Sequence, residues 1–313
     1  MDVERPGFTL KGSLCLPTSE GHFPLVLLLG GSGRVDRDGN LNGRGASIYA
    51  KLARALAGIG VASYRYDKRG VGASGGDFLA TGYHDLVDDA HTAWQALAGA
   101  PFVDHSRMYV LGHSEGTAIS AQLAPRLAPP PRGLVQLCPF ETSAEVMLIH
   151  QAQGIERELP GLKGGLGTLL RLLRLFTGPY DQHMRKKLQH VRTLEGGTIR
   201  LGPARVSARW LRELITLDID ALYRAVPCPM LLIAGEKDLQ YTPESAERLA
   251  RLAQAPGQSH VVPNMIHHLS ENEGRQALFD RRDIDALPLA PPLLALLEEW
   301  FARENGRKNI TPA

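Results

Sequence analysis

Gly112-His113-Ser114-Glu115-Gly116 forms a G-x-S-x-G motif between two segments of different periodicity. The apolar run 108–111 before it is typical of a buried strand, and the apolar spacing over 117–127 predicts a helix packed on a sheet. A serine on a tight turn between such a strand and such a helix is a nucleophile elbow. Small flanking residues suit this strained turn, and the helix N-terminus favours negative charge beside Ser114. We therefore predict that Ser114 is a nucleophile.

A second stretch, Gly72-Ala73-Ser74-Gly75-Gly76, matches the same motif. No helical pattern follows it directly, because the glycines and Asp77 favour a loop. Its context therefore predicts that Ser74 is a loop serine without a catalytic role.

The composition is that of a globular protein with one large core. The chain has 313 residues, 43% of them hydrophobic, and a net charge of +2, which gives no support for nucleic-acid binding. The charged N-terminus lacks the apolar core of a signal peptide, and the apolar run 25–29 is too short to span a bilayer. Three widely spaced cysteines favour free thiols in a reducing compartment. We expect a cytoplasmic protein without a membrane span, and composition leaves its oligomeric state open.

Strand and helix patterns alternate along most of the chain. Strands are predicted at 8–14, 25–29, 61–66, 108–111, 133–137, 230–234 and 260–262. Helices are predicted at 48–56, 85–97, 117–127 and 293–301. This alternation predicts an α/β fold, with a mainly parallel central sheet covered by helices on both faces.

The segment between residues 137 and 230 breaks the alternation, because it contains no clear buried strand. Helical patterns occupy 168–176, 181–191 and 208–217 instead. We predict a helical cap inserted at residues 141–222, which divides the α/β core into 1–140 and 223–313.

A serine nucleophile needs a base within hydrogen-bond reach, and the base needs an orienting acid. Asp238 lies four residues after the strand predicted at 230–234 and is the expected acid, with Glu236 as the alternative and a turn or helix-capping role as the other interpretation. The expected base is His267 or His268, in the loop after the last short strand. Only one of these two adjacent histidines can point at Ser114.

Stabilising a developing oxyanion takes two backbone N–H groups. We assign one to Glu115, the residue after the nucleophile, and one to Ser32 in the Gly30-Gly31-Ser32-Gly33 loop, whose glycines allow close approach. A phosphate-binding loop is disfavoured here, because no Gly-Lys-Ser/Thr follows.

Two metal interpretations are also disfavoured by the residue pattern. Asp36-Arg37-Asp38-Gly39-Asn40 begins like a calcium loop, but Leu41 occupies the position that requires glycine and Ser47 the position that requires glutamate. A turn is the better interpretation of this stretch. The sequence also lacks a cluster of histidines and cysteines with zinc spacing. We therefore expect no metal and no cofactor.

Four stretches together resemble the α/β-hydrolase superfamily, especially bacterial serine esterases and S33-related serine aminopeptidase-like hydrolases. They are Leu29-Gly30-Gly31-Ser32-Gly33 with the following 36–40 turn, the segment 66–74, the Ser114 motif, and Gly235-Glu236-Lys237-Asp238-Leu239-Gln240. In this family the base is followed by leucine, so the resemblance implies His268 rather than His267. The family's usual His-Gly at the oxyanion loop is Gly30-Gly31 here.

The resemblance implies a serine hydrolase that cleaves a carboxylic ester of a small molecule through an acyl-enzyme. The alternatives are a thioesterase, a peptidase or amidase, a receptor that keeps the triad but turns over slowly, and a triad-bearing scaffold for protein contacts. The leucine-rich run 168–176 has more apolar surface than one helix face needs, so we expect Leu173 and Phe176 to line an acyl pocket.

Overall fold

A computed structural model describes residues 1–41, 43–162, 164–202, 204–274 and 286–306. The strands are β1 (Asp2–Arg5), β2 (Phe8–Cys15), β3 (Phe23–Leu29), β4 (Ala62–Tyr66), β5 (Val103–His113), β6 (Gly133–Leu137), β7 (Thr198–Leu201), β8 (Ala204–Ser207), β9 (Met230–Gly235) and β10 (Gly257–Val262). The α-helices are α1 (Ile48–Gly58), α2 (Tyr83–Ala98), α3 (Glu115–Leu123), α4 (Ala144–Glu158), α5 (Gly164–Thr177), α6 (Tyr180–Thr193), α7 (Ala208–Ile215), α8 (Ile219–Arg224), α9 (Ser245–Ala250) and α10 (Pro291–Glu304).

Eight strands form the central sheet in the order β1-β2-β4-β3-β5-β6-β9-β10. The six strands from β4 to β10 in this order are parallel, whereas β1 and β2 are antiparallel additions at one edge. Strand β3 shows why the centre is parallel: all of its residues from 24 to 29 are buried, as expected of a strand covered on both faces. The predicted mainly parallel α/β architecture is therefore confirmed.

The strand order reverses direction between β3 and β5. The chain passes from β3 to β4 on one side and then returns to β5 on the other side of β3. In open α/β sheets, ligands bind outside the carboxyl ends of strands at such a switch point. The loops after β3 and β5, which contain Ser32 and Ser114, therefore meet at the expected position for a site.

Helices dominate the described part of the chain between β6 and β9. The helices predicted at 168–176 and 181–191 lie within α5 and α6, and most of the one predicted at 208–217 forms α7. The sequence analysis did not predict α4, or the antiparallel hairpin of β7 and β8 that is paired from Thr198 with Ser207 to Leu201 with Ala204. We keep residues 141–222 as the proposed boundaries of the cap.

Aromatic packing joins α10 to the middle of the sheet. The rings of Trp300 and Phe301 contact Tyr109 of β5 at centroid distances of 5.4 and 5.1 Å, and both side chains are 1% exposed. None of the helices in the described ranges combines the length and apolarity that crossing a bilayer requires.

Candidate active site

Ser114 lies at the turn between β5, which ends at His113, and α3, which begins at Glu115. Its backbone has φ 55° and ψ −123°, a strained conformation for a non-glycine residue. A Cβ at Gly112 would overlap the carbonyl group of Gly116, and a Cβ at Gly116 would overlap the carbonyl oxygen of Leu29. The two glycines are therefore required by close backbone contacts, as the elbow interpretation predicted.

Asp238 and His267 form a buried pair beside this turn. His267 Nδ1 lies 2.8 Å from Asp238 Oδ2, with the side chains 9% and 2% exposed. Burial raises the pKa of Asp238, but His267 and the Gln240 N–H outweigh it, so the pKa is lowered overall. An ionised carboxylate only accepts hydrogen bonds, so His267 Nδ1 carries the proton and its Nε2 is an acceptor when the ring is neutral. This is the tautomer that a general base requires.

The partner of Asp238 is His267, and not His268 as the resemblance implied. The reason is a tight turn: Leu269 N–H donates to the Ile266 carbonyl at 2.9 Å, and Leu269 has φ 62°. Successive side chains on this turn point in different directions, and the two imidazole rings are 88° apart in orientation. His268 still lines the cavity that contains Ser114, but it does not occupy the acid-paired position.

The alternative acid and the alternative serine have structural partners. Glu236 Oε2 accepts a solvent-exposed hydrogen bond from Asn264 N–H at 2.9 Å. Ser74 Oγ donates to the Asp67 carbonyl at 2.7 Å and accepts from Lys11 N–H at 2.8 Å. Ser74 therefore ties a loop to β2, in agreement with the prediction from its context.

The loop after β3 lies against Ser114. A Cβ on Gly31 would be 3.2 Å from the Ser114 Cβ, so only a residue as small as glycine fits there without displacement. Gly31 N–H donates to Tyr49 Oη at 2.7 Å and is thus occupied. Within the described ranges, no backbone group accepts a hydrogen bond from the Ser32 N–H, and the Glu115 N–H belongs to the unpaired first turn of α3. Both groups predicted to bind an oxyanion are free to do so.

Tyr49 and His113 form a hydrogen-bond chain between the oxyanion loop and the base loop. His113 Nε2 lies 2.9 Å from the His267 carbonyl oxygen and must donate to it, so Nδ1 accepts from Tyr49 Oη at 3.0 Å. Burial lowers the pKa of His113 to about 3, which keeps the ring neutral and this polarity fixed. The sequence analysis missed both residues, although a histidine next to the elbow serine was a visible signal.

Tyr241 is a further neighbour of the nucleophile that the sequence analysis missed. Its ring lies 5.6 Å from that of His267. Burial raises the pKa of the Tyr241 phenol well above its usual range, although a hydrogen bond with Ser114 lowers it. The position follows from Asp238, three residues earlier, but no local pattern distinguishes this tyrosine.

His113, Cys138 and His267 bring two imidazoles and a thiol within 4.8 Å of one another. These side chains do not fit a metal site, because most of their potential ligand atoms are already in hydrogen bonds or protonated. Both nitrogens of His113 are in hydrogen bonds, and His267 Nδ1 faces Asp238. Burial raises the pKa of the Cys138 thiol well above its usual range, so it is not a ready thiolate ligand.

Two cavities border Ser114 and Glu115, beside a third of about 670 Å³ that is lined by Asp238, Gln240 and Tyr241. The first, which we call the serine cavity, has a volume of about 410 Å³. Its walls include Gly31, Ser32, Arg44, His113, Ser114, Gln240, His267 and His268. The second, the cap cavity, has a volume of about 230 Å³ and lies between the core and the helices of the cap. Its walls include Ser32, Lys68, Glu115, Phe140, Leu148, Gln151, Trp210, Leu214 and Gln240. Ser32 and Gln240 belong to both, so the cavities adjoin beside the nucleophile.

The expectation for Phe176 is wrong. Its side chain is 86% exposed at the end of α5, and neither cavity includes it. Further apolar side chains of α5 also face solvent, since Leu169, Leu172 and Leu175 are at least 50% exposed. The side chain of Leu173, the other predicted lining residue, lies outside the described part of the structure.

Comparison with known proteins gives a consistent family. A family model described as serine aminopeptidase, S33, matches residues 42–274. Esterase EstD of Thermotoga maritima is 26% identical over 238 residues, which are 76% of this chain and 52% of EstD. The chain spans about half the length of the curated relatives that it matches.

Solved structures of similar fold cover nearly the whole chain. Est1E of Butyrivibrio proteoclasticus, solved with ferulic acid, has a TM-score of 0.62 and 17% identity, and the match covers 97% of this chain and 96% of Est1E. The α/β hydrolase GrgF of Penicillium sp. sh18 has a TM-score of 0.63 and 15% identity, covering 97% of both chains. Such low identity is evidence for the fold alone. With the family model and the mostly parallel sheet, it follows that the chain belongs to the serine aminopeptidase S33 family and has the α/β-hydrolase fold.

Proposed function

We propose that this protein hydrolyses a carboxylic ester of a small molecule through a covalent acyl-enzyme. The observation that carries the proposal is the buried His267–Asp238 pair at 2.8 Å, which lies in the same site as the strained Ser114 turn. His267 and Ser114 line one cavity together with the Ser32 loop. Nucleophile, base, acid and oxyanion donors are then all assigned to named groups.

In the acylation step, Ser114 Oγ attacks the ester carbonyl carbon while His267 Nε2 takes the hydroxyl proton. Asp238 stabilises the imidazolium that forms. The N–H groups of Ser32 and Glu115 bind the oxyanion of the tetrahedral intermediate. When the intermediate collapses, the C–O bond to the alcohol breaks and the alcohol leaves with the proton from His267.

Deacylation repeats these steps with water as the nucleophile. His267 takes a proton from water, which attacks the acyl carbon, and the Ser114 oxygen leaves with that proton. The products are a carboxylic acid, an alcohol and the free serine. No step needs a metal or a cofactor.

The test is turnover of p-nitrophenyl acetate, butyrate and octanoate, together with labelling by a fluorophosphonate. Ser114→Ala should remove labelling and lower kcat by roughly 10³-fold or more, as nucleophile loss does in serine hydrolases. Ser74→Ala is the matched control, since Ser74 lies in the same G-x-S-x-G pattern but bonds to Asp67 and Lys11. Labelling that survives Ser114→Ala would contradict the proposal.

Matched substrates separate the alternatives within this mechanism. One acyl group is presented as an oxygen ester, a thioester and an anilide, and kcat/KM is compared among the three. The ester should be preferred over the anilide. A burst of acylation without turnover would favour a slow receptor, and the absence of any labelling would favour a protein-contact scaffold.

A further inference from the structure

Glu115 belongs to the wall of the cap cavity, where its side chain contacts Trp210. It is 1% exposed, and its Oε1 accepts a hydrogen bond from Trp210 Nε1 at 2.6 Å. The other oxygen, Oε2, is buried and has no hydrogen-bond partner among the described residues. A carboxylate oxygen that is buried without a donor is uncommon in folded proteins, which suggests that a donor arrives with a ligand.

Lys68 does not supply that donor. Its Nζ lies 3.9 Å from Glu115 Oε2, beyond hydrogen-bond distance, and donates instead to the Gly31 carbonyl at 2.6 Å. The ammonium group is thus directed at the oxyanion loop. Burial raises the pKa of Glu115, whereas the nearby ammonium and the Trp210 hydrogen bond lower it and so favour the carboxylate, without a hydrogen bond from Lys68 to Oε2.

The rest of the cap cavity is mainly apolar. Phe140 lies on the core side, and Leu148, Trp210 and Leu214 lie on the cap side. Because the cavity adjoins the serine cavity at Ser32 and Gln240, a group bound there is continuous with one held at Ser114. A substrate held at Ser114 would therefore place one side of its ester in the cap cavity, whose walls favour an apolar body with a polar end.

We propose that the cap cavity selects acyl groups that have an apolar body and a distal hydrogen-bond donor, which is received by Glu115 Oε2. This inference rests on the proposed ester hydrolysis and specifies its substrate class. Glu115 then has two roles: its N–H binds the oxyanion, and its carboxylate determines specificity. A hydroxyl on an aromatic or aliphatic acyl group fits this description.

The experiment compares isosteric acyl groups on the unmodified protein. The substrates are p-nitrophenyl esters of para-hydroxyphenylacetic and para-hydroxyphenylpropanoic acids, each beside its para-methyl counterpart. For at least one chain length, the hydroxyl ester should have a kcat/KM about 10- to 100-fold higher, as expected for a hydrogen bond to a charged group. The para-methoxy ester, which can only accept, should behave like the methyl ester.

A variant then locates the preference. Glu115→Gln keeps an acceptor for Trp210 but replaces the charged acceptor facing the cavity with a neutral amide, so the hydroxyl-to-methyl ratio should fall below about threefold. Glu145→Gln is the matched control, because Glu145 lies on cap helix α4 and pairs with Arg192, outside the residues that line the cavity. This control should keep the ratio of the unmodified protein.

The outcomes separate this inference from the proposed function. If the unmodified protein hydrolyses none of these esters or the simple alkanoates, the proposed function fails. If it hydrolyses hydroxyl and methyl esters equally, or prefers the methyl esters, only the inference fails. A hydroxyl preference that survives Glu115→Gln would place the acceptor elsewhere and also overturn it.

Discussion

Two adjacent imidazoles line the serine cavity, and we propose different roles for them because the acid-paired ring is that of His267. His267 is paired with Asp238 at 2.8 Å, so His267→Ala should lower kcat/KM by roughly 10³-fold or more, as loss of a catalytic base does. His268→Ala should keep activity within about tenfold, because it removes a cavity-wall side chain that does not occupy the acid-paired position. The measurement is kcat/KM on a short ester together with the fluorophosphonate labelling rate. An inactive His268→Ala beside an active His267→Ala would reverse the assignment.

The histidine pair also shows where prediction from sequence stops at this scale. Ser114 follows β5 directly and Asp238 lies three residues after the end of buried strand β9, so their positions could be predicted from local pattern and strand order. The choice between His267 and His268 depends on the turn at Leu269, with φ 62°, which no residue pattern reveals. The partners of Glu115 and His113 are contacts between distant segments, so they were not predictable either.

A second prediction concerns the neutral state of His113. Burial lowers its pKa to about 3, whereas histidine in an unfolded chain titrates near about 6.5. Below about pH 6.5 the unfolded state therefore binds a proton at this histidine and the folded state does not. The free energy of unfolding should be unaffected by His113 above this pH. It should fall by about 1.4 kcal/mol for each pH unit between about pH 6.5 and about pH 3. Removing the imidazole in His113→Gln should reduce this acid-side slope by the same amount. The measurement is the free energy of urea unfolding between about pH 4 and about pH 8.

His22→Gln is the comparison for this experiment, since His22 is exposed on the loop before β3. Both variants lack one imidazole, but only His113→Gln removes a buried one. An unchanged acid-side slope in His113→Gln would show that His113 is not a source of the acid sensitivity.

At the scale of elements, the β5–α3 turn tolerates little change. A Cβ at Gly116 would overlap the carbonyl oxygen of Leu29 in β3, and backbone cannot rotate away as a side chain can. Gly116→Ala should therefore cost at least about 1–3 kcal/mol in the free energy of unfolding, the range for overpacking. Gly196→Ala is the control, because its added Cβ would meet no atom within 4 Å. Urea unfolding measures both, and equal stability of the two variants would contradict the close contact.

The elements that the sequence analysis missed are those with weak local signals. Helix α4 buries only Ala144 and Ala152 among its side chains, so it lacks the broad apolar stripe by which helices are recognised. The hairpin of β7 and β8 is largely exposed and turns at Gly202, with φ 58°. In contrast, β3 and β9 are buried along nearly their whole length and could be predicted from their apolar runs. Local pattern thus predicted the sheet better than the cap.

At the scale of the whole molecule, the cap is joined to the core by an ionic network. Arg209 of α7 lies 3.1 Å from Asp85 of α2 and 2.8 Å from Glu213. Glu213 Oε2 accepts a hydrogen bond from His84 N–H at 3.0 Å, at the beginning of the same core helix. Because Trp210 of the cap cavity follows Arg209 directly, this network positions the cavity wall over Glu115.

Breaking the network should alter binding of long acyl groups more than the chemistry. Arg209→Met removes the ion pairs with Asp85 and Glu213 but leaves the apolar stem of the side chain. We expect kcat/KM for an octanoate ester to fall about tenfold through KM, and that for the acetate ester to change by less than about threefold, because loss of uniform binding raises KM alone.

Arg224→Met is the control, since Arg224 is 58% exposed and its pair with Asp220 lies within α8. Partly exposed ion pairs contribute little to stability by themselves, so the unfolding free energy should change by about 1 kcal/mol or less. The measurement is kcat and KM along the alkanoate series for both variants. An equal loss for acetate and octanoate would show that Arg209 supports the catalytic core rather than the position of the cap.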